Sequence, residues 1–419
     1  MPVFHRGPIM RLIHTSDWHL GQELHGFDRG PEHDAFLKWL LLLVGQVEAD
    51  VLVVTGDVYD SGNPPVPAQT RLYRFLSGAL ALNDLLQIVV IGGNHDSPGR
   101  LELPRHLLTE GRMHVVGALP RVGGRPDSRG TVITLRDRRG KASASCVAMP
   151  FLRAADLPPG MGAAGVRALY AEAVEHARAV RLPIVATGHM HLHGGEISEL
   201  SERRIYVGGE AALSSDLFDS DISYVALGHL HKPQRVAGPT AIRYAGSPFP
   251  MSVVERTYEH SVSVVDIDNG GTATIDLVPI PRRVAFLRVP DEGSSTLEAV
   301  EHELRALTID DCGLDRRPFL EVSVQLFTAE PDLRRRIDEA LATKPVRLLR
   351  VERQRLGGDG LLADVVPTKS DLLELKFSDV FRRLHQHQYH ADPDEELLAL
   401  FDEVVAAALE PAPEEEGLA

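Results

Sequence analysis

Val51-Leu52-Val53-Val54-Thr55-Gly56-Asp57-Val58-Tyr59-Asp60 decides the fold. Residues 51–54 are continuously apolar, mostly β-branched, and too few to make a helix. Such a run is a strand buried on both faces, as in a covered parallel sheet. It stops at a glycine, and the next side chain is a carboxylate. Four more apolar runs likewise end in Asp, Asn or His side chains. Residues 9–14 lead into Thr15-Ser16-Asp17-Trp18-His19. Residues 88–91 lead into Gly92-Gly93-Asn94-His95-Asp96. Residues 184–187 lead into Gly188-His189, and residues 224–227 into Gly228-His229-Leu230-His231.

Helical patterns separate these strands. In residues 31–48, Pro31 suits a first turn, and Phe36, Trp39, Leu40, Leu43 and Val47 recur at helical spacing. Residues 66–86 and 165–180 read the same way. Short apolar strands alternating with helices indicate a layered α/β domain. Residues 120–145 are polar and rich in Gly and Arg, and read as a hairpin or excursion. Strand-like alternation fills 243–280, and Pro279 and Pro281 mark a boundary. Residues 282–355 read as a separate module with strands at 284–289, 319–326 and 346–351 and helices at 296–307 and 331–341. Gly357-Gly358-Asp359-Gly360 is a break, followed by amphipathic patterns at about 370–385 and 394–409. The expected domains are 1–280, 281–356, a helical 357–410 and an acidic, disordered tail, 411–419.

The charge is uneven. The net value is −15, but ten carboxylates and no Lys or Arg fall after residue 391, leaving −5 before it. A nucleic-acid partner for the body of the chain is therefore not excluded. The longest apolar run, about residues 39–45, is far short of the roughly 18 residues of a membrane span. No segment resembles a signal peptide. Two cysteines, Cys146 and Cys312, make neither a disulfide framework nor a thiolate metal site. A reduced cytoplasmic setting is the expectation.

In an open α/β sheet, sites form beyond the C-terminal ends of the strands. Five such ends here carry Asp, Asn and His. Two divalent cations about 3.5–4 Å apart clamp the attacking and leaving oxygens of an in-line displacement at phosphorus and activate water. Asp57 is the candidate carboxylate to bridge them. Imidazole and carboxylate ligands without sulfur suit Mn, Fe or Zn better than Mg or Ca. His95 is placed to protonate the leaving oxygen. Among Arg29, Arg100, Arg105 and Lys232, Arg100 is the preferred contact to a substrate phosphate.

Together these residues resemble the calcineurin-like metallophosphoesterase superfamily and, more closely, its SbcD nuclease-subunit branch. The longer strings carry the closer likeness: Ile13 to Gly21, His25 to Arg29 with Glu32-His33-Asp34, Gly92 to Pro98, Gly228 to Gln234, and Tyr244 to Pro248. It spans about residues 10–265. The resemblance implies a layered β-sandwich flanked by helices, a smaller α/β capping domain and C-terminal partner-binding helices. It implies one metal on Asp17, His19, Asp57 and His231, and a second on Asp57, Asn94, His189 and His229. His191 and His193 are alternatives to His189. His95 would be the catalytic histidine, with Asp96 orienting it. The family implies two Mn²⁺ ions and cleavage of double-stranded DNA ends and hairpins, exonucleolytic and endonucleolytic, in DNA repair, recombination and replication. It also implies a homodimer joined to two copies of SbcC, a coiled-coil ATPase. This chain has no phosphate-binding Gly-x-x-x-x-Gly-Lys loop, so any ATP dependence would come from that partner. The helix at 66–86 is a candidate dimer surface, and residues 372–384 a candidate docking segment for the ATPase. A superfamily enzyme acting on small phosphodiesters or phosphomonoesters is the alternative.

Overall fold

A computed structural model describes residues 10–103, 111–198, 212–310, 312–328, 330–355 and 391–409. It also describes positions 202, 205, 378, 381, 382 and 384–386. Residues 1–356 form one unit and residues 357–419 a second.

Two six-stranded sheets lie face to face in the first unit. One runs Ala273–Pro279, Ser261–Ile267, Met10–Thr15, Val51–Thr55, Gln87–Ile91, Met113–Val116. The other runs Gln234–Val236, Ile242–Tyr244, Ile222–Gly228, Ile184–His189, Ala142–Val147, Val132–Arg136. In the first sheet the strands from Met10–Thr15 through Met113–Val116 are parallel. In the second, those from Ala142–Val147 through Ile242–Tyr244 are parallel.

The pleat sorts each strand's side chains into two cores. Val51 and Val53 point between the sheets, against Cys146, Val185 and Ala226. Leu52 and Val54 point outward, against Phe36, Leu40, Leu72 and Phe75 of the helices Gly30–Gln46 and Val66–Leu82. The helix Gly162–Arg178 covers the other sheet through Leu169, Tyr170 and Val174. Both faces of the central strands are therefore dry, which is why residues 51–55 and 87–91 are buried throughout.

Residues 120–145 differ from the reading as an excursion. A small hairpin does occupy Arg121–Val122 and Arg125–Pro126. Val132–Arg136 and Ala142–Val147, however, are integral strands of the second sheet. The second is spelled Ala-Ser-Ala-Ser-Cys-Val, small residues that suit a thin layer between sheets but give little hydrophobic signal.

Phe286–Val289, Phe319–Leu326 and Arg347–Arg355 form a parallel sheet covered by the helices Leu297–Ala306 and Leu333–Leu341, with its own core. A separate cluster of Leu24, Val253, Val284, Phe286, Phe319 and Leu349 joins this module to the double sheet. The second unit contains the helix Glu395–Leu409, whose Phe401 stacks on Phe381 at 4.2 Å. The pattern at 370–385 falls mostly outside the described residues, as do residues 411–419. Among the described residues no helix is long and apolar enough to cross a membrane.

Candidate metal centre

The parallel strands deliver their loops to one edge. There the backbone takes conformations that side-chain-bearing residues rarely adopt. Asp17, His19, Asp57 and His229 have φ of 52°, 46°, 45° and 100°. Each such residue costs about 1–3 kcal/mol and persists only where its surroundings over-determine it. Here the loops lock one another. Asp17 N–H donates to the Gly56 carbonyl at 3.1 Å, and His19 N–H to that of Asp57 at 3.0 Å. His95 N–H donates to Asp57 Oδ1 at 2.8 Å, and His229 N–H to Asp17 Oδ1 at 3.0 Å. Two glycines permit the approach. A Cβ at Gly93 would collide with the Asp57 carboxylate, and one at Gly228 with the Thr55 carbonyl.

Asp57 sits at the middle. Its Oδ2 is 3.4 Å from His189 Nε2, 3.8 Å from His19 Nε2 and 4.0 Å from His95 Nε2. Among the described residues, three sets of ligand atoms lie close enough together to hold an ion: Asp17, His19 and His231; His19, Asp57 and His95; and Asp17, Asp57 and His189. Asn94 Oδ1 is 3.0 Å from His189 Nε2, and the His229 ring centroid is 5.5 Å from that of His189. The structure thus gathers Asp17, His19, Asp57, Asn94, His95, His189, His229 and His231. His191 points elsewhere, its Nε2 3.4 Å from the Gly195 carbonyl.

The donors fit divalent cations. Nε2 of the buried His19 has no hydrogen-bond partner among the described residues, which is costly for a polar atom unless something binds it. The set is imidazole, carboxylate and amide, without thiolate. Outer groups fix the rings. His189 Nδ1 is 2.9 Å from the Thr55 carbonyl and His231 Nδ1 is 2.8 Å from Glu255 Oε1, so each Nε2 is left for the centre.

Charge follows from this packing. Burial pushes the Asp57 carboxyl up, but His189, His95 and His19 outweigh it and hold it well below the usual range. Burial pulls His189 down, yet Asp57 and Asp17 raise it to about 9. Burial likewise opposes charge on His231, which Glu255, Glu202 and Asp17 raise to about 10. His229 is held well below its ordinary value by burial and then by His189. These shifts favour imidazolium–carboxylate pairing around Asp57 and Glu255, so a metal ion would compete there with protons on His189 and His231.

The Asp96 carboxylate accepts the N–H groups of Tyr59 at 2.9 Å, Gly93 at 2.9 Å and Val58 at 3.2 Å, bracing two loops. His95 Nδ1 lies 2.8 Å from the Asp60 carbonyl. Arg29 is no surface phosphate contact. It is fully buried, paired with Glu32, and lies over the rings of Phe249, Phe286 and Phe319. Lys232 is already paired with Glu196. Arg100 is exposed on the short helix after the Asn94 loop and makes no hydrogen bond or ion pair among the described residues. Arg105 lies outside those residues. Glu255 and Glu202, which hold His231 from outside, were not anticipated, because no local spacing marks them.

A family model described as calcineurin-like phosphoesterase matches residues 10–233. One described as type 5 capsule protein repressor C-terminal domain matches residues 282–389. The chain is 41% identical over 353 residues to the D component of the nuclease SbcCD from Rhodobacter capsulatus, covering 81% of this chain and 86% of that protein. It is 31% identical over 414 residues to the protein of the same name from Escherichia coli K12, covering 94% and 97%. Identity to the Bacillus subtilis protein of that name is 34% over 278 residues, covering 63% and 68%.

Proposed function

This chain belongs to the calcineurin-like phosphoesterase family and, within it, to the SbcD nuclease group, and we propose that it is the metal-dependent nuclease component of an SbcCD-type complex. The observation that carries the reading is Asp57, a buried carboxylate with ligand-bearing loops on both sides. Asp57 would be shared by the two metal positions. Asp17, His19 and His231 would complete the first, and Asn94, His189 and His229 the second. Two divalent ions held by these residues, Mn²⁺ by this reading, would supply Lewis-acid polarisation of the phosphodiester and a lowered pKa for the attacking water.

The chain's own residues do the rest. The strained turns at Asp17, Asp57 and His229 fix the ligands before metal arrives, so little reorganisation is left for binding. The Asp60 carbonyl holds Nδ1–H of His95 and turns Nε2 towards Asp57. Protonated, His95 donates from Nε2 to the leaving oxygen, and neutral, it takes a proton back from solvent. Arg100, exposed next to this loop, contacts a substrate phosphate.

The substrate is DNA, cut at double-strand ends and hairpins in repair, recombination and replication in the cytoplasm. Residues 281–356 act as a capping domain. The helical segment 357–410 docks on an SbcC-type coiled-coil ATPase, which confers ATP dependence on a heterotetramer built on two copies of this chain. The test is cleavage of linear and hairpin duplexes with Mn²⁺, with and without the ATPase partner and ATP. Cleavage that requires metal supports the reading. A metal-loaded complex that leaves both substrates intact overturns it.

A further inference from the structure

The strand Ala142–Val147 runs parallel to Ile184–His189, so its C-terminal end lies on the same edge as the metal centre. The segment Ala148-Met149-Pro150-Phe151-Leu152-Arg153 leaves the strand there. It is pinned to the centre's own loops. Phe151 N–H donates to the Gly92 carbonyl at 2.8 Å, in the loop that goes on to Asn94 and His95. Thr187 Oγ1, two residues before His189, donates to the carbonyls of Val147 and Met149, each at 3.3 Å. Met149 and Leu152 are buried in the helix-side core of the second sheet. The backbone at Arg153 is extended, and in extended chain alternate side chains fall on the same side. Burying Leu152 therefore brings Phe151 and Arg153 together, and both are half-buried.

Phe151 links this segment to a candidate metal ligand. Its ring centroid is 6.3 Å from that of His189, with the planes at 89°, the geometry of an edge-to-face aromatic pair. On the other hand of Phe151 is Arg153, whose Cζ lies 5.9 Å from the same ring centroid. The ring attracts the cation without neutralising it, so the fork of guanidinium N–H donors stays available. Arg153 makes no side-chain hydrogen bond or ion pair among the described residues. Asp156, the nearest carboxylate in sequence, is taken by Arg121 and by the backbone N–H of Arg153, each at 3.0 Å. Arg129, from the preceding segment, is paired with Glu172. Arg153 is thus an uncompensated cation one ring away from a metal-facing imidazole, on a segment that the centre's loops hold in place. A phosphodiester fits it, because two phosphate oxygens match the guanidinium fork.

We propose that Arg153 binds a backbone phosphate of the DNA strand next to the scissile one, on the side of the second metal position, with Phe151 holding its guanidinium in place. The inference rests on the nuclease reading above and adds to it a contact from a strand end that carries no metal ligand. A substrate with a single phosphate gives this contact nothing to hold, whereas a polynucleotide does. Arg153 therefore contributes to the preference for nucleic acid over small phosphodiesters.

The test is steady-state cleavage of a hairpin duplex by the full chain with Mn²⁺, alone and with its ATPase partner, over a series of NaCl concentrations. Arg153→Gln should raise KM about tenfold, the loss of one charge-assisted contact, with kcat within about twofold of wild type. The slope of log KM against log[NaCl] should fall by about one, since one phosphate fewer is neutralised. Arg153→Lys should recover the salt slope and part of the affinity. Arg139→Gln is the control: it removes the same charge from an exposed turn at the opposite end of Ala142–Val147 and should change neither quantity. Mn²⁺ content and Tm should match wild type in all three variants. Arg153→Gln with unchanged KM and salt slope, or with changes that Arg139→Gln reproduces, overturns the proposal. So does a fall in Tm or Mn²⁺ content in both Arg153 variants, which would make the arginine a structural cover for Phe151. Wild-type protein that holds metal and cleaves no hairpin overturns the nuclease reading and this contact with it, whereas normal wild-type cleavage with an unaffected Arg153→Gln overturns the contact alone.

Discussion

Replacing Arg29 tests whether it is a structural strut or a DNA contact. Its side chain is fully buried. Nη2 donates to Glu32 Oε1 at 2.9 Å and to the Pro250 carbonyl at 3.0 Å, and Nη1 donates to Gln22 Oε1 at 3.2 Å. The cation lies 4.7 Å from the Phe249 ring centroid, and 5.2 and 5.6 Å from those of Phe319 and Phe286. Phe249 belongs to the first sheet's helix-side core, whereas Phe286 and Phe319 join the small module to the double sheet. Arg29→Ala would strand the buried Glu32 carboxylate. Breaking a buried pair from one side costs about 3–5 kcal/mol. Arg282 and Arg347 also feel the charge of Glu32, which places the cost near the lower end. For a unit the size of residues 1–356, unfolding entropy near 0.7 kcal/mol per degree turns about 3 kcal/mol into a fall in Tm of about 4 °C. Arg29→Met/Glu32→Met, which removes both charges and keeps the volume, should lie within about 1 kcal/mol of wild type. Urea unfolding and calorimetry read both variants. Arg29→Ala with unchanged stability but weakened DNA binding would refute the strut.

Three further outcomes follow from the centre. His95→Ala should keep full metal content by elemental analysis while losing about 10²–10⁴ in cleavage rate, and loss of metal as well would make His95 a ligand. Glu255→Gln should lower metal affinity about 10- to 100-fold by titration calorimetry, because the carboxylate orients His231 and sustains its basicity. Metal-free stability should peak near pH 6.5 in urea titrations. His189 and His231 are raised above 6.5, to about 9 and 10, so the stability they add is complete below 6.5 and lost as pH climbs through those values. His14, His33 and His260 are depressed by burial to about 3, 4 and 4, so their contribution is lost as pH falls below 6.5.

The strands and the Asp, Asn and His side chains at their ends were legible because both faces of each strand are covered. Full burial forces a continuous apolar run, and the run's end marks the edge where chemistry collects. Ala142–Val147 escaped notice because a strand facing Cys146 and Ala144 into a thin layer needs small residues rather than large ones. The metal-centre side chains came together because each sits next to its own strand. Their supports were opaque. Glu255 reaches His231 from the short turn Val253–Thr257, and the Asp60 carbonyl is backbone that any residue could supply. Arg29 could be weighed only as a possible phosphate contact, because the rings around it come from distant parts of the sequence.

The central claim is that Asp57 lies between two cations. Diffraction from crystals soaked in Mn²⁺, recorded with anomalous signal, tests it directly. The account predicts two peaks flanking the Asp57 carboxylate, one beside Asp17, His19 and His231 and the other beside Asn94, His189 and His229. A single peak remote from Asp57, or none at saturating Mn²⁺, would contradict it.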